Sequence, residues 1–127
     1  VTVSVPTVMV SSYFFGGCPC ESGAPIHLSA DHFTTNAGIA ALTVPRPQLL
    51  ISDGKDWTDR NPISELPFLK TIYGWYDAAE HIENAHFASE GHDYGPSKRG
   101  AMYPFMAKYL GLDLSMAKKP TARSTNP

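Results

Sequence analysis

The sequence contains no apolar run approaching the ~18 residues of a membrane-spanning helix. It has no excess of either charge. Ten basic and twelve acidic residues give a formal net charge of −2, so there is no basic surface of the kind that nucleic acid or an anionic membrane would call for. Cysteine is scarce. Cys18 and Cys20 are separated by a single residue, and a bond between them would close a strained ring. A metal site would need two more ligands, and the nearby His27 and His32 do not give a standard zinc spacing. The two cysteines are read as small, partly buried thiols in a loop. They do not fix a redox compartment, and no metal or other cofactor is expected. An initiator Met and a charged leader region are also lacking. The chain opens instead on Val1-Thr2-Val3-Ser4-Val5, the composition of a buried strand, and this start is read as a cut inside a domain.

Apolar residues make up 43% of the 127, enough to exclude intrinsic disorder, and the length suits one domain. Gly and Pro are plentiful, at 10 and 11, and predict many turns. Residues 1–10 read as a first buried strand, Gln48-Leu49-Leu50-Ile51-Ser52 as a second, and 82–87 as a third. Between the first two, Gly16-Gly17, Pro19, Gly23 and Pro25 mark an irregular stretch. Within it, Thr34-Thr35-Asn36 is placed to cap a short helix over 37–42. Pro45-Arg46-Pro47 holds the chain extended, and Asp53-Gly54-Lys55-Asp56 reads as a turn.

Ser64 is placed to cap a helix whose apolar positions Leu66, Leu69, Ile72, Tyr73 and Tyr76 recur every three or four residues, with Pro67 tolerated in its first turn. A last helix is expected over 97–110, with Met102, Met106 and Leu110 on one face. Pro104 should kink it or delay its start, and Gly111 should stop it. Lys98 and Arg99 read as its solvated face. Residues 1–112 are taken as the folded portion and 113–127 as a flexible tail. Alternating strands and helices imply crossover connections, hence an α/β fold with a parallel, three-stranded partial sheet flanked by helices. In such sheets function gathers beyond the carboxyl ends of the strands, in the loops that begin at Ser11, Asp53 and Ala88.

Two of those loops carry titratable groups in a suggestive order. Asp56 follows the second strand and His92 follows the third. A carboxylate that accepts a hydrogen bond from one imidazole nitrogen fixes the tautomer and leaves the other nitrogen to take a proton. Histidine suits that work because imidazole titrates near working pH. Asp53 and Asp59 compete for the acid role. His27, His32, His81 and His86 read as surface or packing residues, with His86 inside the third strand. Tyr13, Phe14 and Trp57 are candidates to line a substrate cleft, although such aromatics also serve as loop anchors in a core.

The stretch Leu49-Leu50-Ile51-Ser52-Asp53-Gly54-Lys55-Asp56, followed by Glu90-Gly91-His92-Asp93-Tyr94-Gly95 and a closing helix, resembles the C-terminal half of an α/β-hydrolase. Phe14-Phe15-Gly16-Gly17-Cys18-Pro19-Cys20-Glu21-Ser22-Gly23 and Pro45-Arg46-Pro47-Gln48 resemble the acetyl xylan esterase-like and dienelactone hydrolase-like branch. The resemblance implies a serine carboxylic-ester hydrolase in which Asp56 is the acid and His92 the base of a Ser-Asp-His triad. It implies a small ester or acetylated carbohydrate as substrate, and secretion or periplasmic residence for the enzyme. It favours Asp56 over Asp53 and Asp59.

The family's nucleophile sits in a G-x-S-x-G elbow. That motif is absent from these residues, and Cys18 and Cys20 do not replace it, since G-x-C-x-G is absent too. The serine and the oxyanion donors are therefore expected upstream of residue 1. On that expectation the isolated chain is inactive, needs the N-terminal half of its own domain, and associates or aggregates through the unpaired edge of its first strand. The competing reading is a non-catalytic binding module on a hydrolase-like scaffold, holding a ligand or partner through the aromatic loop at Tyr13 to Phe15. A metal-binding domain built on Cys18, Cys20 and a nearby His is the third.

Overall fold

The computed structural model describes residues 1–12, 31 and 34–116. At its centre two parallel strands lie side by side, β1 (Gln48–Asp53) and β2 (Ile82–Phe87), in register from Gln48 opposite Ile82 to Asp53 opposite Phe87. All six residues of β1 are buried, as expected of a strand covered on both faces. The crossover between them carries α2 (Glu65–Gly74) and a short 3-10 turn at Ala79–His81. α1 (Asn36–Ala41) precedes β1, and α3 (Pro96–Leu110) follows β2.

The expected first strand, and with it the three-stranded sheet, is corrected. Residues 1–10 run alongside β1 but meet it only through two isolated parallel bridges, Ser4 to Gln48 and Thr7 to Ile51. Ser4 donates to the Pro47 carbonyl and accepts from Leu49 N–H. The Pro6 carbonyl accepts from Ile51, and Val8 donates to the Ile51 carbonyl. Pro6 has no N–H with which to continue the ladder. Val8 sits at φ 50°, a rare conformation for a β-branched residue. Those two neighbouring irregularities break what the composition reads as a continuous strand.

Side-chain alternation along β1 sorts the core into two layers. On one face Leu50 joins Ile82, Val10, Ala37, Ala40, Leu69, Tyr73 and Ala78 beneath α1 and α2. On the other, Leu49 and Ile51 pack on Phe105 of α3, with Ala85, Phe87, Ala101 and Met102 around them. Asp53 has the parity of Leu49 and Ile51 and so faces α3.

The helices begin and end for readable reasons. The Thr35 hydroxyl accepts from Gly38 N–H at 3.2 Å and caps α1. Thr35→Ala is expected to cost about 1 kcal/mol, read as a lowered denaturant midpoint. In α2, Leu69 and Tyr73 are fully buried, and the Tyr73 hydroxyl donates to the Arg46 carbonyl at 2.9 Å. Burial pushes that phenol up to about 12. Tyr73→Phe leaves the carbonyl without this donor and is expected to cost about 1 kcal/mol, measured the same way. Tyr76, read from periodicity as part of the buried face, is exposed because α2 ends at Gly74. Ser64 precedes α2 but makes no side-chain capping bond.

α3 runs through Pro104 without interruption. Pro104 and Gly100, whose carbonyl loses its partner, both lie on the exposed side, where water can satisfy the carbonyl. The buried positions of α3 are Lys98, Phe105 and Ala107, while Leu110 is 39% exposed. Gly111 ends the helix at φ 65°. Of the expected tail, 113–116 is described and includes a 3-10 turn at Leu114–Met116, and 117–127 lie outside the described residues. No described helix is long and apolar enough to cross a membrane.

Candidate active site

The loops that leave the carboxyl ends of β1 and β2 are stitched together. Gly54 N–H donates to the Phe87 carbonyl and Lys55 N–H to the Glu90 carbonyl, each at 3.0 Å. The approach is so close that a Cβ on Gly54 would run into the Ala88 carbonyl, which is why glycine stands there. This stitching sets Asp56 and His92 opposite one another, with Asp56 Oδ2 3.2 Å from His92 Nδ1.

The carboxylate is held firmly. Its Oδ1 accepts from Thr58 N–H at 2.7 Å and from the Thr58 hydroxyl at 2.6 Å. That hydroxyl accepts in turn from Asp53 N–H at 2.9 Å. The Asp56 side chain is 3% exposed and the imidazole 40%, so a buried, fixed acceptor faces a ring that solvent and ligands can reach. The Trp57 ring lies 4.4 Å from that of His92, tilted by 40°. Its indole N–H donates to the Val8 carbonyl at 3.1 Å. Trp57 thereby ties the irregular first segment to the site while forming one wall against the imidazole.

The competing carboxylates go elsewhere. Asp59 is exposed and makes no side-chain hydrogen bond or ion pair among the described residues. Asp53 is fully buried against Lys98, whose ammonium lies 3.1 Å from Asp53 Oδ2, 3.0 Å from Glu90 Oε2 and 2.6 Å from Asp93 Oδ1. Burial holds the Asp53 carboxyl above the ordinary aspartate range, and Lys98 opposes that rise. Burial alone would lower the Lys98 ammonium, but its contacts with the carboxylates of Asp93, Glu90 and Asp53 outweigh it and hold it above the ordinary lysine value. Glu90 is held low by the Ser97 hydroxyl and by Lys98, and Asp93 by Lys98 and Gly95 N–H.

The expectation of a solvated Lys98 is therefore corrected. A signal for it lay in the sequence: an aspartate closing a buried strand needs a countercharge, and Lys98 opens the helix that packs on that strand.

Of the other histidines, His81 Nδ1 lies 2.9 Å from the Pro45 carbonyl oxygen, and His86 Nδ1 lies 2.9 Å from Ser52 Oγ within the sheet. Tyr13, Phe14, His27, His32, Cys18 and Cys20 lie outside the described residues. Among the described residues no group of three or more His, Cys, Asp or Glu side chains is arranged to hold a metal ion.

No protein-family model and no curated protein matches the chain. Among solved structures the chain is similar to the methylesterase BT1017, with 52% sequence identity and a TM-score of 0.86 over 93% of this chain and 26% of that one. The chain thus spans about a quarter of the length of the protein it matches, and over that stretch it has an esterase-type α/β fold.

Proposed function

We propose that the chain is the acid-and-base portion of a serine ester hydrolase acting on methyl esters. The observation that carries this reading is the 3.2 Å contact between His92 Nδ1 and a buried Asp56 carboxylate, across the ends of two adjacent parallel strands. The likeness to a methylesterase supports the reaction class and favours a methyl over an acetyl ester. The acetyl xylan esterase branch suggested by the sequence becomes the alternative specificity.

In the proposed mechanism a serine supplied from outside these residues attacks the ester carbonyl and passes its proton to His92 Nε2. Asp56 stabilises the imidazolium that forms. Collapse of the tetrahedral intermediate breaks the bond to the methoxy oxygen, and the imidazolium returns the proton so that methanol leaves. Water, deprotonated by the same imidazole, then attacks the acyl-serine. The new carboxylic acid is released and the serine hydroxyl restored. Trp57, together with Tyr13 and Phe14, is proposed to line the substrate cleft.

The test is methanol release from a soluble methyl ester, run in parallel with acetate release from an acetyl ester. The chain alone is expected to give no turnover above its His92→Ala variant. Joined to the segment that carries the serine, it is expected to release methanol. His92→Ala should abolish that release and His81→Ala should leave it intact. Turnover by the joined protein that survives His92→Ala would overturn the reading.

A further inference from the structure

We infer that Lys98 is the positioning residue for His92, a role that rests on the proposed pairing of His92 with Asp56. The Lys98 side chain is 0% exposed, and its ammonium is within 3.2 Å of four oxygens: Asp93 Oδ1, Glu90 Oε2, Asp53 Oδ2 and the Gly91 carbonyl. Three of those oxygens belong to residues 90, 91 and 93, which bracket His92. The fourth belongs to the last residue of β1, three positions before Asp56.

A single buried cation therefore joins the loop that carries the imidazole to the strand end that carries its carboxylate. The Phe87 ring lies 5.8 Å from the ammonium. Stability alone is a poor reason for this arrangement, because a buried ion cluster is commonly no more stabilising than apolar side chains filling the same space. What apolar packing could not do is hold three residues of an irregular loop, two by their carboxylates and one by its main-chain carbonyl, by directional bonds to one point. The Glu90 contact is reinforced by the Ser97 hydroxyl at 2.6 Å, and the Asp93 contact by Gly95 N–H at 2.8 Å. The first turn of α3 and the His92 loop are thus set as one unit.

The test reads the tautomer of the neutral imidazoles from their ring nitrogen shifts by NMR. An acceptor at Nδ1 enforces the Nδ1–H form, whereas an unrestrained imidazole favours Nε2–H. His81, whose Nδ1 faces the Pro45 carbonyl 36 residues away in sequence, serves as the internal control. In the wild-type chain both His92 and His81 should be Nδ1–H. A wild-type His92 in the Nε2–H form would defeat the Asp56 pairing itself before any variant is made, and the role of Lys98 would fall with it.

In Lys98→Met, His92 should reverse to mainly Nε2–H, matching Asp56→Asn, while His81 stays Nδ1–H. A folded Lys98→Met chain in which His92 remains Nδ1–H would overturn the proposal. Should that variant fail to fold, the double variant Glu90→Gln, Asp93→Asn keeps the Lys98–Asp53 pair but removes both charged anchors of the loop. It should reverse the His92 tautomer, and an unchanged tautomer there would likewise overturn the proposal.

Discussion

Asp56→Asn, made in the protein that joins this chain to its serine, is expected to lower kcat for methyl-ester hydrolysis by about 10⁴-fold with little change in KM. The direction follows from Thr58. Its main-chain N–H donates to Asp56 Oδ1 at 2.7 Å and cannot turn round to accept. In the asparagine variant the carbonyl oxygen must therefore occupy the Oδ1 position. The amide nitrogen is left facing His92 Nδ1, where it donates rather than accepts. The imidazole is driven into the Nε2–H tautomer, which has no lone pair at Nε2 to receive the serine proton. Ground-state binding does not use this pair, so the loss falls on kcat.

Adding His92→Ala to Asp56→Asn should cost little more than the worse of the two alone, because the residues act as one unit. Asp59→Asn should stay within about two-fold of wild type, since Asp59 is exposed and its side chain makes no hydrogen bond or ion pair among the described residues. Steady-state rates of methanol release check all four proteins. An Asp56→Asn enzyme that keeps more than about a tenth of its activity would show that the acid lies elsewhere, because loss of such a carboxylate costs orders of magnitude.

Much of this geometry was legible because it depends on local chemistry. β2 falls on the residues the composition marks, and β1 extends one residue further to Asp53. Thr35 caps α1 through the hydroxyl that the capping rule requires. The two loops that face each other are the two read from the strand order. What the sequence concealed depends on position in space. Residues 1–10 have strand composition, but the effect of Pro6 and Val8 on pairing shows only once β1 lies beside them. Lys98 looked like any charged residue at the start of a helix. Its burial follows from the parity of Asp53 on β1, which faces that carboxylate toward α3 rather than α2. Trp57, Asn61 and Glu65 recur every four residues and bond the main chain of Val8, Val10 and Ser12, which recur every two. Neither spacing advertises the match.

Lys98→Met should lower the stability of the chain at neutral pH by about 3–5 kcal/mol, the usual consequence of removing one partner from a buried ion pair. The orphaned partner is Asp53, also 0% exposed. Its carboxyl is already raised by burial, with Lys98 opposing the rise, so loss of the ammonium moves it further upward. A carboxyl whose folded value exceeds its unfolded one binds protons preferentially in the folded state. Its ionisation destabilises the fold, and the penalty is relieved as pH falls through the folded value.

Glu90 and Asp93 behave in the opposite sense. Both are held low in the folded chain. Their contribution is present above the ordinary carboxylate range and is lost as pH falls through their folded values. In the variant they lose the Lys98 part of that contribution. Acidification from pH 7 toward pH 4 therefore acts on the two proteins differently. Wild type loses stability from Glu90 and Asp93, whereas the variant has less of that to lose and regains stability as Asp53 takes up a proton. The gap in melting temperature between wild type and Lys98→Met should be widest near pH 7 and narrow steadily on acidification. Thermal unfolding at a series of pH values measures it directly. A gap that stays constant or widens toward pH 4 would mean that neither Asp53 nor the loop carboxylates depend on the buried ammonium in the way these contacts imply.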